Sequence, residues 1–125
     1  MQSDIEIYIR DVDIEALKQW LEQRFDAVDL SPLDNNAGYK GAVVSGDHRV
    51  PVSLFFRAGG NRYSSLTFDS SHTPWETDLA CAREAFEALG TEIRCSTGEW
   101  QEGMPEENEY WWRIDARGEK KARWN

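Results

Sequence analysis

Apolar residues alternate with polar ones at the start of the chain: Ile5, Ile7 and Ile9 are interleaved with Glu6, Tyr8 and Arg10. That period of two predicts a half-buried strand. The period then lengthens. Ile14, Leu17, Leu21 and Phe25, with Trp20 beside them, recur every three or four residues and predict a helix. Asp11 and Asp13 precede it as N-cap candidates. A short strand is expected over 27–30, stopped by Ser31-Pro32, and a loop over 34–38. Three strand-like runs follow at 39–44, 49–57 and 62–68, separated by turn-forming stretches at 45–48 and 58–61. Pro51 lacks a backbone donor, which favours an edge or a strand start for its region.

The spacing of Trp75, Leu79, Ala82, Phe86 and Leu89 predicts a second helix, with Gly90 placed to terminate it. Thr73-Pro74-Trp75-Glu76 has the form of a capping box with proline at the first helical position. Strands are expected at 92–95 and 110–116, with residues 96–108 as a long acidic loop between them. Repeats and domain boundaries are absent from the pattern, so residues 1–125 read as one domain. Two amphipathic helices around a meander predict an α+β fold with an antiparallel or mixed sheet of five to six strands. Both helices would lie on one face, in a ferredoxin-like or related split arrangement.

Composition adds bounds. With 40% hydrophobic residues and 12% aromatics the chain has material for one core, and about two-thirds of its unfolded surface can be buried at this length. No apolar run is long enough for a membrane helix, and 1–10 lacks the form of a signal peptide, so a cytoplasmic location is expected. Cys81 and Cys95 read as small buried thiols in a reducing compartment.

The net charge of −9 argues against nucleic acid as a partner. Residues 1–116 carry a net −12, and the short end 117–125, with Arg117, Lys120, Lys121 and Arg123 against Glu119, carries +3.

Candidate chemistry is sparse. His48 and His72 lie outside any nucleophile motif, and the cysteines and histidines lack the close spacing of a zinc site, so neither catalysis, metal nor cofactor is expected. A ligand or anion site at the second helix's N-terminus would use Arg62, Ser71, His72 and Thr73, next to Asp69. Those serines and the threonine also suit plain turn and cap roles.

The aromatic, acidic C-terminal third offers Trp100, Glu106, Glu107, Trp111, Trp112 and Trp124 as a partner surface. In a strand Trp111 and Trp112 must face opposite ways, so one leaves the helix-covered side. The expectation is a protein-binding module, such as an acidic inhibitor of a basic target, or a homodimer in which the basic end meets the acidic loop. A small-molecule or anion-binding protein or enzyme, with its site at the N-terminus of the second helix, is the alternative.

Overall fold

The computed structural model describes residues 4–97 and 110–123. Its elements run β1 (Ile5–Arg10), α1 (Ile14–Arg24), β2 (Ala27–Pro32), a 3₁₀ turn (Asp34–Asn36), β3 (Gly38–Ser45), β4 (His48–Phe55), β5 (Tyr63–Phe68), α2 (Asp78–Leu89), β6 (Ile93–Ser96), β7 (Trp111–Asp115) and β8 (Gly118–Ala122). All eight strands join one sheet in the order β2-β3-β4-β5-β1-β6-β7-β8, and every pairing is antiparallel.

This corrects the expected α+β fold with a five- to six-stranded ferredoxin-like sheet: the described chain is mostly β, one eight-stranded antiparallel sheet with two helices. Strands β2 to β5 form a continuous meander, β6 to β8 form another, and β1 is inserted between the two. Seven of the eight strands correspond to runs expected from the sequence, and the eighth is β8. Its sequence, Gly-Glu-Lys-Lys-Ala, carries no apolar alternation, and four of its five residues are exposed. It is held by pairing with β7 rather than by burial. The basic end is thus largely an edge strand, where Lys120 and Lys121 discourage pairing with another sheet.

The core lies between one sheet face and the helices. Ile5, Ile7 and Ile9 of β1, Leu66 and Phe68 of β5, Val50, Val52 and Leu54 of β4, and Ile93 and Cys95 of β6 are all buried. They meet Leu17, Trp20 and Leu21 of α1 and Cys81, Ala82 and Ala85 of α2. Both cysteines are free and buried, and burial pushes their thiols up, Cys95 to about 12.

Pro51 lies in an interior strand, β4, contrary to the edge expectation. Its carbonyl accepts from Asp69 N at 2.9 Å, just past the last β5 residue, Phe68. In extended chain the N and O of one residue point to the same side, so the missing donor falls where β5 has ended.

Helix α1 is capped by Asp13, which accepts from Glu15 N and Ala16 N. Helix α2 begins later than its sequence suggests. Thr77, not Thr73, is the N-cap, accepting from Ala80 N at 3.1 Å. The Thr73 hydroxyl instead shapes a local turn with the backbone of Trp75. The cause is Trp75 itself. Its indole is buried against Trp20, Phe25 and Phe68, with ring centroids 5.0 to 5.7 Å apart, and its Nε1 donates to Glu84 of α2 at 3.2 Å. An extended segment delivers that ring to the core, and the helix starts after it. Glu84 also accepts from Trp20 Nε1 at 2.8 Å and Arg24 Nε at 3.0 Å, tying α1 to α2. Gly90 closes α2 in the left-handed region, as expected.

Asp78, in the first turn of α2, accepts from Glu6 N at 3.2 Å. Burial, the largest cause, pushes its carboxyl up to about 6, helped by the charges of Glu6 and Asp4 and opposed by the Glu6 amide. An acid raised from 3.8 binds more protons folded than unfolded, so its charge costs stability as pH rises from about 4 through 6. Asp78→Asn keeps the acceptor and removes that cost. Urea denaturation near pH 7.5 should show the variant more stable by about 1–2 kcal/mol, after allowance for screening, with no gain near pH 4.

Candidate functional site

With both helices on one side, strand alternation sends a second set of side chains to the opposite face, which neither α1 nor α2 covers. Register arranges them in rows. One row runs Ser65 of β5, Tyr8 of β1, Arg94 of β6, Arg113 of β7 and Lys120 of β8. A neighbouring row runs Tyr63, Arg10, Glu92 and Asp115; Arg10 N donates to Glu92 O at 3.0 Å. Trp111 and Glu6 belong to a third row on the other side of the cation row.

Three cations, Arg94, Arg113 and Lys120, therefore stand directly opposite one another on adjacent strands. Such juxtaposition is unfavourable without compensation. Glu92 supplies part of it. Its carboxylate accepts from Arg94 Nε at 2.6 Å and from Tyr63 OH at 2.7 Å, and sits 3.7 Å from Arg10 Nη1. Burial would raise the Glu92 carboxyl, but the bonds from Tyr63 and Arg94 and the charges of Arg94 and Arg10 outweigh it and hold it below the usual range. Tyr63 is raised, first by burial and then by its bond to Glu92. The Arg94 guanidinium lies 4.7 Å from the Tyr63 ring centroid.

Arg113 is less well served. Its Nε is buried with no hydrogen-bond partner among the described residues, and Asp115 Oδ2 stands 3.7 Å away, too far for a hydrogen bond. These arginines and the 59–61 turn enclose an open cleft of about 530 Å³, bordered also by Arg62, Tyr63 and Glu92. Arg62 is held at its rim by Asp11, Nη2 to Oδ2 at 2.6 Å. Beside the cation row the Tyr8 and Trp111 rings meet edge to face at 5.6 Å, and Phe55, beyond Ser65, is 44% exposed.

The residues singled out from sequence are dispersed. Trp111 lies on the face opposite the helices and Trp112 on the helix side, packed against the core with Lys121 Nζ 5.5 Å from its ring. Trp100, Glu106, Glu107 and Trp124 lie outside the described residues. The proposed set Arg62, Ser71, His72 and Thr73 is not brought together: Arg62 precedes β5 and pairs with Asp11, whereas 71–73 follow β5 at its other end. His72 stacks on His48 at 3.7 Å, and its Nδ1 shares a hydrogen bond with Ser70. Among the described residues no group of three or more His, Cys, Asp or Glu side chains could hold a metal ion, and no helix is long and apolar enough to cross a membrane.

Sequence reasoning passed over Arg10, Arg94 and Arg113. Each stands on the polar phase of its strand, where a lone arginine reads as a solvated charge; their convergence depends on β1 pairing with β6 and β6 with β7. Compared with known protein families, curated proteins and solved structures, the chain matches none.

Proposed function

We propose that this chain is a non-catalytic protein-binding module in which the sheet face opposite the helices receives an acidic segment of another protein. The observation that carries the reading is the cation row Arg94–Arg113–Lys120, laid across three strands on the face that neither α1 nor α2 covers. By alternation the strands and Glu92 present Arg10, Lys40, Arg49, Arg94, Arg113 and Lys120 there against Glu6, Asp29, Glu92 and Asp115, six bases to four acids in a chain of net charge −9. Charge complementarity thus favours an acidic partner at this face, in place of the basic target that overall charge suggests. Tyr8, Trp111 and Phe55 supply rigid aromatic area beside the charges, the composition of interface anchors. The Lys-bearing β8 edge weighs against a dimer formed by extending the sheet.

The test is a titration of isotope-labelled protein with Glu- and Asp-rich peptides that include an aromatic residue. Amide shifts should concentrate on β1, β6, β7 and β8 and weaken steeply with added salt. Shifts confined to the helices, or no saturable binding by any acidic peptide, would reject this reading.

A further inference from the structure

We propose that the cleft between the 59–61 turn and the arginines of β1, β6 and β7 is an oxyanion site for a phosphate monoester dianion. The inference rests on the acidic-segment reading only for where such a phosphate would come from.

Three observations converge. First, Arg94, Arg113 and Lys120 oppose one another across adjacent strands on the face away from both described helices. Second, Glu92 is engaged with Arg94, Tyr63 and Arg10, whereas Arg113 keeps a buried Nε–H without an acceptor among the described residues. A buried donor left open costs free energy, and a small shift of the Arg113 side chain, itself 29% exposed, would bring it to an incoming oxygen. Third, charge does not cancel locally. Among the described residues, Arg10, Arg94 and Arg113 of the cleft, with Lys120 next along the row outside it, face Glu92 and Asp115, leaving two positive charges once Arg62 is set against Asp11. A carboxylate would balance one of them. A phosphate monoester, close to a dianion at neutral pH, balances both, and guanidinium forks match its oxygens in geometry. The cleft, at about 530 Å³, holds a phosphate with part of the group that bears it.

That phosphate has two possible bearers, a small metabolite or a phosphorylated side chain of the acidic partner. The experiment follows the Arg113 Nε–H resonance and the backbone amides of the full chain near pH 7.5. The titrants are inorganic phosphate, an acidic peptide and the same peptide phosphorylated on one serine. A saturable shift of Arg113 Nε–H with phosphate is expected. Affinity should fall about tenfold in Arg113→Gln, the effect of losing one charge-assisted hydrogen bond. Lys120→Gln, on an exposed edge position where folding is not at risk, should fall several-fold, and Arg113→Lys should lie between wild type and Arg113→Gln.

A phosphopeptide binding tenfold tighter than inorganic phosphate identifies the partner as the source; equal affinities identify a small phosphate. If no phosphate-bearing titrant moves Arg113 Nε–H, or if the two Gln variants bind as wild type, the site is overturned. In that event the unphosphorylated peptide separates the two ideas: shifts on the open face preserve the docking reading, and their absence removes both.

Discussion

Trp75→Ala should lower stability by about 4 kcal/mol, a melting temperature drop of roughly 15 °C for a chain of this size. The ring is 6% exposed and touches Trp20, Phe25 and Phe68. Its Nε1 also gives Glu84 one of three hydrogen bonds, so truncation opens a cavity and removes a donor at once. Trp75→Phe should recover most of the packing and lose the bond. A cost under about 1 kcal/mol for Trp75→Ala would instead return the residue to an ordinary place in the first turn of a helix. Thermal denaturation of both variants decides between these.

Glu92→Gln should cost about 3 kcal/mol, since it leaves Arg94 and Arg10 facing an uncharged group at a site where the Glu92 and Arg94 side chains are 11% and 13% exposed. The pH dependence has a definite sign. A carboxyl held below 4.5 binds fewer protons folded than unfolded, so its contribution is present at neutral pH and is lost as pH falls through the acid range. The gap between wild type and Glu92→Gln should therefore be full near pH 7 and close toward pH 3. Chemical denaturation across that range tests it. A constant gap would mean that the loss comes from packing rather than from the carboxylate's charge.

Much of the chain's order was legible because period alone distinguishes Ile5–Ile7–Ile9 from Ile14–Leu17–Leu21. The β3-β4-β5 meander and the Gly90 stop were legible for the same local reasons. Three features were not. Strand β8 has no apolar face to announce it. Thr73-Pro74-Trp75-Glu76 carries a valid local capping signal, but the burial of Trp75 outweighs it and moves the cap to Thr77. The strand order required knowing that β1 separates two meanders, and the same pairings assemble Arg10, Arg94 and Arg113. Trp111 and Trp112 could be assigned to opposite faces in advance; which face stayed uncovered could not.

The placement of β1 also governs how the molecule is built in time. Strands β2 to β5 and β6 to β8 are each joined by contacts between sequence neighbours, whose loop-closure cost is small. Strand β1 instead waits for β5, whose Phe68 pairs with Ile5 across more than half the chain, and then for β6. Folding should therefore be limited by this non-local step, and Ile7→Ala or Ile9→Ala should slow refolding, followed by stopped-flow fluorescence, more than an equally destabilising change inside either meander.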